Sequence, residues 1–119
     1  VDTLPSKAEY QIDLEIDNIR VILPANVEQC FYRVAQEALS NIVSHAKATM
    51  LSVHLKRQEE LLILSVKDNG VGFDENIEGS DKYGLLGMKE RAEMIQANLS
   101  IKSTPGIGTQ IELKYRGIK

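Results

Sequence analysis

The chain has 119 residues, a formal net charge of -3 and an isoelectric point near 5.4. Its composition, 43% hydrophobic and 26% charged, is that of one globular domain, and the acidic balance argues against binding nucleic acid through phosphate contacts alone. The single cysteine excludes an internal disulfide and suits a reducing compartment. Together with the two histidines it gives too few ligands for a zinc site. No apolar run approaches the roughly 20 residues that span a bilayer, and no signal-peptide pattern is present, so we expect a soluble chain.

The first half of the chain predicts a strand followed by a long helix. Apolar residues alternate over residues 10–17, as expected for a strand. Pro24 as a breaker and Asn26 as a possible cap precede a helical pattern that runs from about Glu28 to Ala46. One face of this helix is apolar and is predicted to pack on a sheet: Phe31, Ala35, Ala38, Leu39, Ile42 and Ala46.

The second half predicts four strands and a second helix. Residues 50–58 and 60–68 form an antiparallel pair, and residues 99–105 and 108–115 form the last two strands. Between the pairs a helix, closed by Asn98, is predicted from apolar residues at helical spacing: Leu85, Met88, Ala92 and Ile95. The order β-α-β-β-loop-α-β-β indicates a two-layer α/β sandwich, in which a mixed sheet carries helices on one face.

The stretch KDNGVGFD, residues 67–74, follows a strongly apolar strand and has two interpretations. An Asn-Gly pair after alternating apolar residues is a strong hairpin signal. However, Gly72 would weaken the second strand of such a hairpin, and the acidic, glycine-bearing run that follows has the composition of a mobile loop. We therefore favour a binding site here and keep the hairpin as the alternative.

A polar stripe lies beside the apolar face of the first predicted helix. Glu37, Asn41, Ser44 and His45 fall within an arc of about 100°, where a solvated helix more often carries Lys and Glu. An ordinary solvated face produces the same spacing by chance, so the stripe alone does not decide between a site and a surface.

Several residues have chemistry suited to a nucleotide. Asp68, at a strand end, can accept a hydrogen bond from an exocyclic amine such as adenine N6, and Gly70 and Gly72 allow the backbone to approach a flat ring. Asn41 offers a neutral oxygen suited to Mg²⁺. Residues 84–88, GLLGM, at a predicted helix start, would point free N–H groups at phosphates. The P-loop and G-x-G-x-x-G patterns are absent, so a site of another kind is predicted.

Three segments together resemble a known family. FYRVAQEALSNIVSHAKA, DNGVGF and GLLGMKERA are similar to the N, G1 and G2 boxes of the ATP-binding domain of bacterial sensor histidine kinases, in particular the NarX/DesK/LiaS/VraS-like subfamily. The resemblance covers residues 10–115 and implies the Bergerat (GHKL) fold, shared with a class of heat-shock chaperones, MutL and type II topoisomerase ATPases. The resemblance implies a mixed sheet backed by helices, with ATP under a flexible lid.

The resemblance also implies roles for individual residues. Asp68 would anchor adenine, Asn41 would bind Mg²⁺, and Glu37 would contact a magnesium-bound water or act as a general base. Thr109 would support the pocket from the last strand. His45 would stack its ring near the nucleotide, although a structural role for a lone histidine stays open.

The resemblance assigns the glycine-bearing segments to the adenine pocket and the phosphates. Gly70 and Gly72 would shape the adenine pocket, and residues 74–83 would form a short lid, disordered without nucleotide because charged residues dominate it. Four residues after the lid would face the phosphates: Gly84, Leu85, Gly87 and Met88.

Ser44 departs from the family pattern, because the residue before His45 is commonly basic and reaches the phosphates. Lys47, or Lys82 in the lid, could supply that charge instead. This departure would also suit a module that holds ATP without transferring its phosphate.

The resemblance implies that the chain is one part of a kinase. Residues 1–9 are expected to be a linker remnant, and residues 10–119 the catalytic ATP-binding domain. The phosphoacceptor histidine would lie on a separate helical dimerisation domain, and transfer to a response regulator would follow. The chain would be a cytoplasmic domain of a membrane-anchored bacterial sensor, meeting the membrane only through missing parts, with no direct nucleic-acid contact. Three alternatives stay open: an anti-sigma-factor-type serine kinase of the same fold, the ATP-binding module without transfer, and an interaction domain without nucleotide.

Overall fold

The computed structural model describes residues 11–16, 22–42, 47–72 and 80–118, which contain five strands and two helices. In chain order these are β1 Gln11–Ile16, α1 Ala25–Asn41, β2 Met50–Gln58, β3 Leu61–Asp68, α2 Ser80–Met94, β4 Asn98–Thr104 and β5 Gly108–Arg116. The sheet order is β1-β2-β3-β5-β4; β1 pairs with β2 in parallel, and the other neighbours are antiparallel. The predicted mixed sheet and α/β class are confirmed.

Helix α1 begins earlier than its sequence pattern indicates. Pro24 is its N-cap, and the Pro24 carbonyl accepts hydrogen bonds from the N–H groups of Val27 at 3.0 Å and Glu28 at 3.1 Å. Proline suits a helix start, because its fixed φ is helix-compatible and its missing N–H would have no intrahelical partner there. The expectation that Asn26 caps the helix is therefore wrong, since Asn26 lies inside the first turn.

Both helices pack on one face of the sheet and share one core with it. From α1, Phe31, Ala38 and Ile42 are buried as predicted, while Ala35 and Leu39 are half-buried against the same cluster. Three further α1 residues are buried and widen the stripe towards the helix start: Val27, Cys30 and Val34. Ala46 lies outside the described residues. From α2, the predicted residues are buried: Leu85, Met88, Ala92 and Ile95.

Helix α2 ends in a Schellman motif. The Ala97 N–H donates to the Ala92 carbonyl at 2.9 Å, the Gln96 N–H donates to the Glu93 carbonyl at 3.1 Å, and Gln96 has a φ of 58°. Gln96, and not Asn98, therefore terminates the helix, and Asn98 is the first residue of β4.

The start of α2 also differs from the sequence pattern. The helix begins at Ser80, so residues 80–83, expected to belong to a disordered lid, form its first turn. The preceding lid residues 74–79 lie outside the described part of the chain.

Strand β3 lies at the centre of the sheet, and its pairing decides between the two interpretations of KDNGVGFD. It pairs with β2 on one side and β5 on the other, so residues beyond Asp68 cannot fold back onto β3 as a hairpin. Alternate residues of β3 face the helices, ending with Asp68. In register with Asp68 are Thr109 on β5 and, next to it, Ser103 on β4. The helix-covered face thus becomes polar at the end of the sheet where β3 ends and β5 begins.

Candidate functional site

Asp68 is the only charged side chain that the described residues bury, with 6% of its surface exposed. The Gly70 N–H donates a hydrogen bond to Asp68 Oδ1 at 2.7 Å, which closes an Asx turn. The Thr109 backbone N–H donates a second hydrogen bond to the carboxylate. Two backbone donors therefore fix the orientation of this side chain.

The Asp68 carboxylate can accept a further hydrogen bond. Burial raises the pKa of Asp68, and the two backbone hydrogen bonds lower it by less, so its pKa lies above the ordinary value of 3.8. A carboxylate has about four acceptor positions, and the two backbone donors leave room for others. A ligand N–H group at this position would gain a charge-assisted hydrogen bond in partly desolvated surroundings.

Asn69 holds the turn in place, a role that the sequence analysis missed. Its Oδ1 accepts hydrogen bonds from the N–H groups of Thr49 at 3.0 Å and Met50 at 2.9 Å, and its Nδ2 donates to Thr49 Oγ1 at 3.1 Å. The Asn69 backbone N–H also donates to the Met50 carbonyl at 3.3 Å. This side chain ties the end of β3 to the start of β2. An amide, with both donor and acceptor atoms, between Asp68 and Gly70 was the signal available in the sequence.

Glycine at position 72 is required by contacts within the protein itself. Its φ is 67°, and a Cβ there would overlap the Thr104 carbonyl oxygen and lie 3.2 Å from the Pro105 nitrogen. The Gly106 N–H donates to the Val71 carbonyl at 2.7 Å, which joins the same two loops. The close approach at Gly72 is therefore to the β4–β5 turn, whereas the sequence pattern predicts an approach to a ligand ring. Its part in an adenine pocket stays a prediction.

Glu37 and Gly84 meet where α1 packs on α2. A Cβ on Gly84 would overlap Glu37 Oε1 and lie 3.2 Å from Glu37 Cδ. Glycine at this position lets the Glu37 carboxylate lie against α2. Asn41 follows one turn later on α1 and is half-buried, so both side chains keep part of their surface in reach of a ligand.

The expected phosphate-facing residues lie inside α2 and not at its start. Because the helix begins at Ser80, the expectation that Gly84 opens it is wrong for this structure. The side chains of Leu85 and Met88 belong to the core, with 8% and 1% of their surface exposed. Gly87 has no atom within 4 Å of a Cβ placed on it, so packing within the described residues gives no reason for glycine there.

The remaining predicted residues are distributed differently. Thr109 Oγ1 lies 2.8 Å from Ser103 Oγ, within hydrogen-bonding distance. Ser44 and His45 lie outside the described residues, whereas Lys47 is exposed with a φ of 51°. His54 Nε2 lies 3.0 Å from Asp13 Oδ2 at the sheet edge, as expected for a structural or exposed histidine.

The described residues contain no group of three or more His, Cys, Asp or Glu side chains placed to hold a metal ion. Mg²⁺ at Asn41 and Glu37 would therefore depend on oxygens from phosphate and water, as is usual for this ion. Among the same residues, no helix has the length and apolar character needed to cross a membrane.

Comparison with known proteins agrees with this arrangement. Residues 26–117 match the model of the histidine kinase-, DNA gyrase B-, and HSP90-like ATPase family. The chain is 38% identical over 111 residues to Sensor protein VraS of Staphylococcus saprophyticus and 40% identical over 113 residues to that of Staphylococcus aureus strain COL. Each alignment covers 93% of this chain and 31% of the relative.

Solved structures show the same fold at lower identity. The histidine kinase domain of the Erythrobacter litoralis EL346 blue-light activated histidine kinase superposes with a TM-score of 0.77 at 18% identity, covering 92% of this chain and 52% of that one. The Acinetobacter baumannii histidine kinase AdeS gives 0.76 at 15% identity, covering 98% and 58%.

The chain belongs to the histidine kinase-, DNA gyrase B-, and HSP90-like ATPase family. Membership in this family makes it an ATP-binding domain. It spans about a third of the length of the sensor relatives, at 31% of each.

The raised pKa of Asp68 predicts a pH-dependent effect of Asp68→Asn on stability. Between 3.8 and the higher folded value, the folded state binds more protons than the unfolded state, so stability falls as pH rises through this window. Above the window the wild type carries a penalty that the amide avoids. We expect Asp68→Asn to melt at or above the wild-type temperature at neutral pH, with the difference shrinking towards about pH 4.

Thermal melting across this pH range measures the effect. Glu90→Gln, which neutralises an exposed carboxylate on α2, serves as the control and should show no such trend. A melting difference that favours Asp68→Asn more strongly as pH falls would contradict the assignment.

Proposed function

We propose that this domain binds ATP with Mg²⁺ and presents it for transfer of the γ-phosphoryl group to a histidine on a separate helical dimerisation domain. The observation that carries the proposal is the buried Asp68 carboxylate, held by two backbone N–H groups at the polar edge of the core. The similarity to sensor proteins supports the kind of reaction, and the described geometry supports the nucleotide.

The adenine preference is argued from hydrogen-bond chemistry. When ionised, the Asp68 carboxylate accepts hydrogen bonds and cannot donate them, and adenine offers its N6 amine as a donor. Guanine has a carbonyl at the equivalent position, so two acceptors would face each other. Gly70, buried beside Asp68, leaves the floor of this pocket without a side chain. Thr109 supports the pocket from β5 through its bond to the same carboxylate.

The residues of α1 suit a hydrated Mg²⁺ ion. Asn41 would contribute an amide oxygen, and Glu37 would contact a magnesium-bound water or accept a proton. The ion, when bound, would neutralise phosphate charge. The position of Glu37 against Gly84 couples this part of α1 to α2, which follows the proposed lid. His45, Leu85, Gly87 and Met88 stay proposed nucleotide contacts; for Leu85 and Met88 any such contact must come from the backbone, because their side chains are core.

Phosphotransfer in this proposal depends on position and charge neutralisation more than on covalent chemistry within the domain. Of the two histidines in the chain, His54 lies on a strand and contacts Asp13, and His45 is a proposed nucleotide contact. The acceptor would therefore come from the dimerisation domain, with residues 1–9 as the linker to it and a response regulator as the next acceptor. We place the domain on the cytoplasmic side of a membrane-anchored sensor.

The first prediction of this proposal concerns nucleotide affinity. Calorimetric titration should show ATP or ADP with Mg²⁺ binding more tightly than the guanine nucleotides, because only adenine can donate to Asp68. Asp68→Asn should weaken adenine nucleotide binding by about 2 to 4 kcal/mol, roughly 30- to 1,000-fold, since a charge-assisted bond is lost and a buried group is left unpaired.

Asp13→Asn is the matched control, because it makes the same substitution at an exposed position on the opposite face of the sheet. It should leave nucleotide affinity unchanged. Equal affinity of the wild type for ATP and GTP, or an Asp68→Asn affinity within about twofold of wild type, would show that the Asx turn is only structural.

The second prediction concerns phosphotransfer. Incubated with ATP, the isolated chain should not acquire acid-labile phosphate. Supplied with a matching dimerisation domain as a separate protein, it should label that domain weakly, because the loss of the covalent link removes an effective concentration of about millimolar.

Glu37→Gln and Asn41→Ala should each reduce this labelling, while Asn41→Ala should also weaken the dependence on Mg²⁺. Acid-labile phosphate on the isolated chain would contradict the separate-acceptor proposal. Phosphate appearing on a serine of a partner would instead support the serine-kinase alternative.

A further inference from the structure

A pocket lies on the face of the sheet opposite the helices. It has a volume of about 390 Å³ and is bounded on one side by the β4–β5 turn. Its floor is a row of residues in register across four strands: Ser52, Lys67, Gln110 and Lys102. Because side chains alternate along a strand, Lys67 points away from the face that carries Asp68. Asp68 and Thr109 also line the pocket, so it adjoins the proposed nucleotide site, while its two lysines lie on the opposite face of the sheet from the Asp68 side chain.

The pocket carries two lysines without acidic partners. Among the described residues, no carboxylate lies within 4.0 Å of the ammonium of Lys67 or Lys102, and both side chains are exposed. Elsewhere on the same face, Lys114 pairs with Glu112 at 3.2 Å and Arg116 lies 3.6 Å from Glu60. One strand separates the two pocket lysines, which places their backbones about 10 Å apart. Positive charge is thus concentrated around this cavity.

The walls of the pocket are partly apolar. Met50 is 47% exposed and Ile107 is 70% exposed, and both line the cavity. Gly108 also lines the cavity, and it has a φ of 141° and no room for a Cβ, which would overlap the Asp68 carbonyl oxygen. The apolar part of the wall therefore consists of Met50 and Ile107.

We propose that this open-face pocket binds a carboxylate joined to an apolar group, either as a small molecule or as part of an acidic peptide segment. Lys67 and Lys102 hold the carboxylate, the Gln110 amide donates a hydrogen bond to it, and the apolar group lies against Met50 and Ile107. Bare phosphate offers nothing to the apolar wall, and a neutral apolar ligand leaves the two ammonium groups uncompensated.

The test uses defined probes and amide chemical shifts of the whole chain. Phenylacetate represents the small-molecule source, and acetyl-Glu-Leu-Glu-amide represents the peptide source. Their neutral counterparts are phenylacetamide and acetyl-Gln-Leu-Gln-amide, and inorganic phosphate tests for charge alone. As its concentration rises, at least one carboxylate probe should change the amide chemical shifts of Lys67, Lys102 and Gln110 until they reach a plateau. The neutral probes and phosphate should bind more weakly. The probe that binds more tightly identifies the source.

Variants separate this pocket from general surface charge. The double variant Lys67→Gln with Lys102→Gln should lower the affinity for the probe by about fivefold or more, as expected for the loss of two exposed ion pairs. Added salt should also lower the affinity of the wild type. Lys56→Gln, which removes another exposed lysine on the same face outside the pocket, should leave the affinity unchanged.

Saturating ADP should not displace the probe, because the probe is held by Lys67 and Lys102 on the face opposite the Asp68 side chain. Shifts caused by ADP itself report separately on the proposed nucleotide site. The proposal is overturned if neither carboxylate probe saturates, if Lys56→Gln has the same effect as the double variant, or if ADP competes with the probe.

Discussion

The burial of one carboxylate at the end of the central strand is the constraint on which the rest of the site depends. Asp68 is nearly inaccessible, yet it remains ionisable because the N–H groups of Gly70 and Thr109 offset part of the desolvation cost. Both donors come from positions fixed by the fold: one from the Asx turn that ends β3, the other from the neighbouring strand β5. A small shift of either would leave a buried charge poorly compensated.

Several neighbouring features preserve that geometry. Asn69 connects the turn to the start of β2 through three side-chain hydrogen bonds. Gly108 allows β5 to approach the Asp68 backbone, and Gly72 allows the next loop to cross the β4–β5 turn. The segment thus uses its Asn and Gly residues to position Asp68, which explains why the same residues also resemble a hairpin signal. The strand also presents Lys67 to the opposite face, so one short stretch contributes to both the proposed nucleotide site and the proposed carboxylate pocket.

The order of elements and the antiparallel pairing of β2 with β3 were predictable because periodicity and turn residues agree along most of this chain. The pairings of β1 with β2 and of β3 with β5 join segments that are distant in sequence, and no local pattern contains them. The errors occur where local signals compete with packing. Asn26 looks like a cap, but the Pro24 carbonyl accepts the first helical bonds and starts α1 earlier. Asn98 looks like a helix end, but the Schellman bonds place the left-handed residue at Gln96.

For the site, Asp68 was predictable from its residue type at a strand end, whereas the roles of Asn69 and Gly84 depend on contacts between distant segments. Gly84 is read from sequence as a helix-opening, phosphate-facing glycine, since glycine commonly serves that purpose. In the structure it lies inside α2, and its lack of a side chain accommodates Glu37 from α1. No local pattern contains that pairing, because 47 positions separate the two residues along the chain.

The central claim is that the Asp68 carboxylate accepts a hydrogen bond from the adenine amine, and a double cycle measures that bond directly. ADP and purine riboside diphosphate, which lacks the amine, would be titrated against the wild type and Asp68→Asn. The account predicts that removing the amine weakens binding to the wild type by about tenfold or more but has little effect on the variant, so the two changes are strongly non-additive. Additive losses, or equal wild-type affinity for both nucleotides, would contradict it.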